Sequence, residues 1–278
     1  MNPAVGNEPD PLCGCHCRAR IRLPHMLLAI HGFTEIDLSW KEVLEGLDGH
    51  VVSYLLPGHG HRPCPAGTNA EWLVEDLHRK YAESGPFDLL GYSMGGRLAL
   101  QFALTYPHLV RRLILVSTRP GIRNPADRAA RKRHDDGLAM MLEENGIGQF
   151  VAWWENHPAL RPYRPQPRSL QEHLRARRLN QDAQGLAAAL RVFGQGVTPS
   201  LWDRLAELTM PVLAIAGSAD TLYVQEMTRM IEALPHGRLS VIPECGHAVH
   251  RECRESMVNI IRGFLADRSA QTTASITP

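Results

Sequence analysis

A serine set between two glycines, Gly91-Tyr-Ser93-Met-Gly95, is the stretch where residue types and spacing could first do chemistry. An apolar run, Phe87 to Leu90, leads into it, and a helix-forming run, Met94 to Thr105, leaves it at once. Strand, tight turn and helix with a serine at the apex would lift the hydroxyl above a sheet edge. Gly91 and Gly95 carry no Cβ, so strand and helix can approach while Ser93 holds a strained conformation. The Met94 N–H would then stand at a helix N-terminus, where negative charge is favoured. A bare serine hydroxyl is a weak nucleophile or base at neutral pH. It needs a histidine to take its proton and a carboxylate to fix that histidine's tautomer. The plainer reading of the same residues is a tight turn with a serine that caps the helix.

Partners for such a serine are expected later in the chain, acid first and histidine second. Asp220 follows the apolar run Val212 to Ala216, and His247 follows Leu239 to Ile242. Asp220 could instead be a helix N-cap, and His247 a loop histidine among 14. His250 is a rival base and Glu244 a rival acid. An oxyanion needs two N–H donors. Met94 supplies one, and the loop His31-Gly32-Phe33 after an early strand supplies the other, assigned to Phe33. Losing one such donor typically costs about 10²–10³ in turnover. Arg97 lies four residues past the serine, on the first turn of the helix, where a guanidinium would fork onto a substrate carboxylate. The alternative is an arginine salt-bridged to the scaffold.

The elements that must position these groups follow from hydrophobic pattern. Short continuous apolar runs at Met26–Ile30, Val51–Leu55, Phe87–Leu90, Arg112–Ser117, Pro211–Ala216 and Leu239–Ile242 read as buried parallel strands. A helix is expected from about Asp37 to Leu47. Thr68-x-x-Glu71 reads as a capping box ahead of another, running to about Glu83. From Thr118 to Pro199 there is no convincing buried strand. Basic helical stretches appear instead at Ala126–Glu144, Gln171–Asn180 and Leu186–Phe193. A last amphipathic helix runs from about Arg251 to Ala266. Strands alternating with helices predict an α/β fold, a mostly parallel sheet with helices on both faces, of the α/β hydrolase type. Residues 1–22 read as an irregular N-terminal segment, 23–118 and 200–268 as the core, 119–199 as an inserted helical lid, and 269–278 as a disordered tail.

The chain of 278 residues can bury one substantial core. Its formal charge of +1 points to neither nucleic acid nor an anionic membrane as partner. No apolar run approaches membrane-spanning length, and Met1 to Leu12 lacks the basic-then-apolar order of a signal peptide. A cytoplasmic protein, monomeric or a small homo-oligomer, is the expectation. Cys13-Gly-Cys15-His-Cys17 invites a metal reading. The spacing is not C-x-x-C, however, and no second pair of cysteines at finger spacing follows, so an incidental reduced cluster is expected and no metal.

Further pieces extend the pattern. They include Leu56-Pro-Gly-His-Gly60, Pro120-Gly-Ile, Arg128-Ala-Ala-Arg131, Trp153-Trp-Glu-Asn-His-Pro158, Arg178-Leu-Asn, Pro199-Ser-Leu-Trp-Asp203 and Cys245-Gly-His-Ala-Val-His250. Together with the elbow they closely resemble the 2-succinyl-6-hydroxy-2,4-cyclohexadiene-1-carboxylate synthases of menaquinone biosynthesis, over about residues 25 to 266. That resemblance implies a carbon–oxygen lyase that needs no cofactor. It would expel pyruvate from 2-succinyl-5-enolpyruvyl-6-hydroxy-3-cyclohexene-1-carboxylate, a small polycarboxylate. Ser93, activated by His247 and Asp220, would take a ring proton while the Phe33 and Met94 N–H groups hold the developing charge. Clamping arginines map onto Arg97, Arg178 and Arg131, with Arg128 close enough to compete for the last role. Tyr92, Trp154 and His31 map onto pocket positions.

The sequence also departs from that family. Leu55 stands where an aspartate is usual. Thr221-Leu222-Tyr223 follows Asp220 where lysine and phenylalanine are common, and Ala159-Leu160-Arg161 replaces a bulky aromatic. A serine hydrolase of a small ester, thioester or carbon–carbon bond is the alternative on the same triad. A non-catalytic binding protein is the third reading.

Overall fold

The computed structural model describes residues 25–45, 47, 49–157 and 160–267. The segments read as an irregular N-terminus and a disordered tail, and the cysteines at 13, 15 and 17, lie outside the described residues. Six strands form one parallel sheet: β1 (Leu27–Ile30), β2 (Val51–Tyr54), β3 (Phe87–Tyr92), β4 (Val110–Val116), β5 (Val212–Gly217) and β6 (Gly237–Ile242), in the order β2-β1-β3-β4-β5-β6.

The apolar runs are continuous because both faces of the sheet are covered. Alternate residues point to opposite sides. Leu28, Ile30, Leu89, Leu113, Leu115 and Ala214 pack towards α2 (Ala70–Tyr81), α3 (Met94–Thr105) and α7 (Thr221–Glu232). Leu27, Ala29, Leu90, Ile114, Val116 and Ile215 pack towards α1 (Leu38–Val43) and α9 (Arg254–Ala266). Between β4 and β5 the chain leaves the sheet and forms α4 (Pro125–Asn156), α5 (Arg168–Leu179) and α6 (Ala183–Phe193). This helical insert has a small apolar core of its own, including Leu138, Leu142, Phe150, Val151, Leu186 and Leu190. Phe33, from the loop after β1, packs against that core and joins insert to sheet.

Several element boundaries differ from the sequence expectation. The first helix ends at Val43, well short of Leu47. Thr68 is not the cap of α2. Its hydroxyl donates to the Pro65 carbonyl, while the Asn69 side chain accepts the Trp72 N–H at 2.8 Å. Helix α4 runs far past Glu144, but breaks at Gly146, whose φ of 73° and ψ of 176° suit glycine alone. The last helix is divided at Cys253 into α8 (Val249–Glu252) and α9.

Candidate active site

Five turns meet at the C-terminal edge of the sheet, after β1, β3, β4, β5 and β6. Ser93 heads the turn after β3, with φ of 50° and ψ of −108°, a strained conformation for a non-glycine residue. The surroundings over-determine it. A Cβ on Gly91 would fall 2.5 Å from the Gly95 carbonyl oxygen, and one on Gly95 would fall 2.4 Å from that of His31. The Ser93 N–H donates to the Val116 carbonyl at 2.9 Å, and the Thr118 hydroxyl donates to the Ser93 carbonyl at 2.8 Å.

His247 Nε2 lies 3.3 Å from Ser93 Oγ, and His247 Nδ1 lies 2.6 Å from Asp220 Oδ2. A carboxylate only accepts, so Nδ1 carries the hydrogen and the Nε2 lone pair faces the serine. Asp220 makes no side-chain cap bond to α7, so its carboxylate serves the histidine instead. The turns carrying acid and histidine are tied together. The Ala219 N–H donates to the Cys245 carbonyl, and the Glu244 N–H to Ser218 Oγ, each at 2.9 Å. Of the rival groups, His250 is fully buried and bonded to Glu35, and Glu244 is exposed and paired with Arg164. Neither meets Ser93.

Above the serine lies a cavity of about 530 Å³, walled by the insert and lined by Phe33, Met94, Arg97, Arg131, Trp154 and Tyr223 among others. A second lobe of about 400 Å³ adjoins it, sharing Phe33, Tyr92, Trp154 and His247, and is lined further by Arg178 and Arg251. The triad therefore sits where two lobes meet. Met94 N–H and Phe33 N–H donate to no turn or loop carbonyl among the described residues. Trp154 stacks on Phe150 and meets Phe33 edge-on, with ring centroids 5.4 Å apart in each case. Tyr92 packs its ring against His247 and His250, at 5.5 and 4.4 Å, and burial pushes its phenol pKa well up.

The arginines differ in how far the protein neutralises them. Arg97 is 3% exposed. Its Nη2 donates to the Phe193 carbonyl at 2.8 Å and its Nε to Thr198 Oγ1 at 3.3 Å; no carboxylate pairs with it among the described residues. Burial lowers its pKa to about 10, which still leaves it charged at neutral pH. The expected alternative, a scaffold salt bridge, is replaced by neutral acceptors. Arg131 bonds Asp135 at 2.7 Å, so its charge is matched. Arg128 does not line the cavity, which separates the two lid candidates. Arg178 lines the second lobe, where Glu155 must serve both it and Arg175. Its buried Nε has no partner, and burial lowers its pKa.

His31 does not face either lobe. It is fully buried; Nδ1 lies 2.8 Å from the Gly32 carbonyl and Nε2 accepts the Leu56 N–H at 3.0 Å. Both ring nitrogens are spent on backbone, so the side chain braces the loop that carries Phe33 and offers substrate nothing. Two groups went unnoticed in the sequence. One is a buried ionic cluster, in which Glu35 Oε1 meets His250 Nε2 at 3.0 Å and Arg251 Nη2 at 2.8 Å. Burial alone would raise the Glu35 pKa. Arg251 and His250 overcome that and hold it well below the usual carboxylate range. The other is a chain from Arg119 through Gln195 to Tyr223. Both link residues far apart in sequence, so no local motif announces them. Among the described residues no cluster of histidine, cysteine and carboxylate side chains could hold a metal ion.

A parallel sheet with an elbow serine, a later acid and a histidine after the last strand defines an α/β hydrolase, and residues 27–259 match the model of the alpha/beta hydrolase family. More particular likenesses follow. A Bacillus subtilis (strain 168) protein, provisionally named as a 2-succinyl-6-hydroxy-2,4-cyclohexadiene-1-carboxylate synthase, is 34% identical over 86% of this chain and 89% of its own. The Escherichia coli O157:H7 (strain EC4115 / EHEC) protein of that name is 29% identical over 85% and 93%. The solved structure of MenH from S. aureus superposes with a TM-score of 0.83 at 34% identity, covering 87% of this chain and 93% of that one. The chain belongs to the alpha/beta hydrolase family and, within it, to the group of 2-succinyl-6-hydroxy-2,4-cyclohexadiene-1-carboxylate synthases.

Proposed function

We propose that this protein is a carbon–oxygen lyase that eliminates pyruvate from 2-succinyl-5-enolpyruvyl-6-hydroxy-3-cyclohexene-1-carboxylate. The observation that carries this reading is Arg97, a buried guanidinium without a carboxylate partner, one helical turn from Ser93 and facing the same cavity. A site for a neutral ester has no use for such a charge. A site for a polycarboxylate does.

His247 takes the Ser93 proton, and Asp220 stabilises the imidazolium that results. The serine oxygen then abstracts the ring proton beside the succinyl carbonyl. The electron pair forms a new double bond to the adjacent ring carbon. The original ring double bond shifts by one position, and the C–O bond to the enolpyruvyl group breaks. The released enolate takes a proton and becomes pyruvate. No water is consumed and no covalent intermediate is needed. Charge that gathers on the succinyl oxygen during proton removal is held by the Phe33 and Met94 N–H groups. Arg97 in one lobe and Arg178 in the other bind carboxylates on either side of the triad, and the helical insert acts as the lid.

The triad geometry also favours a second reading, hydrolysis of a small ester or thioester, because a serine in line with His247 and two N–H donors suits acyl transfer equally. Purified protein offered the polycarboxylate and a generic acyl ester in parallel decides between them. Pyruvate release with little ester turnover is expected, and the reverse result would discard the lyase. Ser93→Ala should lower pyruvate release by about 10⁴-fold or more. Near-normal turnover would remove Ser93 from the mechanism.

A further inference from the structure

Tyr223 stands in the first turn of α7, three residues past Asp220, and is 8% exposed. Its ring packs on His247 with centroids 4.7 Å apart, and it lines the larger lobe beside Ser93 and Arg97. Its oxygen lies 2.9 Å from Gln195 Nε2. Which end of the Gln195 amide faces the phenol decides where the phenol hydrogen goes. Arg119 settles this. Its Nε and Nη2 meet Gln195 Oε1 at 3.0 and 2.5 Å, and a guanidinium only donates. The amide oxygen must face Arg119, so the amide NH₂ faces Tyr223. The phenol oxygen is therefore an acceptor in this bond, and its own hydrogen points elsewhere. No acceptor for it is found among the described residues, and the residue borders the cavity. Arg97 lies within electrostatic reach of the same phenol.

We propose that the Tyr223 hydroxyl, turned into the cavity by Gln195 and Arg119, donates to the substrate carboxylate that Arg97 attracts. Arg97 supplies charge and Tyr223 supplies direction. One carboxylate group is thereby fixed in orientation beside Ser93 and His247. Gln195 and Arg119 are positioning residues that act through the phenol. The assignment rests on the polycarboxylate reading given above.

Tyr223→Phe keeps the ring on His247 and removes only the donor. With the polycarboxylate as substrate and pyruvate release as readout, KM should rise about 10- to 100-fold, the usual effect of losing one hydrogen bond to a charged group, while kcat stays within about twofold. Gln195→Glu keeps shape but presents oxygen to both neighbours. It would accept the phenol hydrogen and turn it out of the cavity, so KM should rise similarly although the hydroxyl is still present. Placed on top of Tyr223→Phe, Gln195→Glu should add little. A full further rise would trace its effect to charge and overturn the orienting role of Gln195. If wild type releases pyruvate and Tyr223→Phe has an unchanged KM, this assignment alone falls. If wild type releases none, the functional reading falls and takes this assignment with it.

Discussion

Arg97 is the residue on which the choice of chemistry turns. Its buried fork is anchored by Phe193 O and Thr198 Oγ1, so two of its donors are committed and the charge remains available to the cavity. Lysine at this position carries one point charge and cannot hold both anchors while meeting a carboxylate. Arg97→Lys should therefore lower kcat/KM for the polycarboxylate by about 10- to 100-fold. Its unfolding midpoint, measured alongside, separates lost binding from lost packing, and unchanged kinetics would make Arg97 a scaffold residue. At this scale the sequence was most readable where function imposes a local pattern. Ser93 sits in a five-residue motif, and Asp220 and His247 each follow an apolar strand. His31 misled, because its motif marks the loop but not which way the ring points; burial and two backbone partners decide that. Tyr223 was visible only as a departure from a resembling family. The amide and guanidinium that orient it lie 28 and 104 positions away, with the Gln195 bond to Arg119 spanning 76.

At the scale of elements, β3 and β4 carry a buried pair with a pH signature. Asp88 and Arg112 lie 4.0 Å apart, and Arg112 spends its better bonds on the carbonyls of Leu265 and Asp267 at the end of α9. Burial pushes the Asp88 carboxyl up to about 6 from 3.8, with Arg112 and Arg111 pulling the other way. The folded state thus holds this proton more tightly than the unfolded chain does. The stability it contributes is full below about pH 4 and lost as pH rises through about 6. Asp88→Asn should be more stable than wild type at neutral pH, by on the order of 2 kcal/mol, and converge with it near pH 4. Urea midpoints across that range test this, and parallel curves would show that Asp88 does not titrate there. Strand positions were legible because buried parallel strands are continuous apolar runs. The helices of the insert were less so. Gly146 breaks α4 between a charged stretch, Pro125 to Asn145, and a largely apolar one, Ile147 to Trp154, and nothing in the helical periodicity marks that glycine as a break. No residue of helix α5 is wholly buried, and the helix is fastened by Arg175 and Arg178 to Glu155 and by Arg177 to Glu42. Periodicity finds a helix, but ion pairs across 20 to 135 residues set where it lies.

Across the whole molecule, the two ends of the described chain are joined behind the triad. Glu35 lies two residues past Phe33, and its partners His250 and Arg251 lie just past His247. One buried carboxylate therefore fixes the Phe33 loop relative to the turn that carries His247. Glu35→Gln keeps the shape but leaves Arg251 without its counter-charge. Removing one member of a buried pair is strongly destabilising, so a loss of about 2–4 kcal/mol is expected, with a fall in turnover of whatever folded protein remains. An unchanged denaturation midpoint would show that solvent already satisfies Arg251.

The site also has an order of arrival. Ser93 and His247 are separated by 154 positions, and the histidine follows β6, the last strand in chain order. During synthesis the elbow and Arg97 leave the ribosome long before the insert that walls them, and the insert precedes the base. A nascent chain that has emerged only through β5 holds its serine without a proton acceptor and its donor loop without the Glu35 brace. On the proposed mechanism such a chain converts no substrate. By the same proposed mechanism, activity requires His247 to reach both Asp220 and Ser93, so it begins only once β6 is in place and the fold is complete.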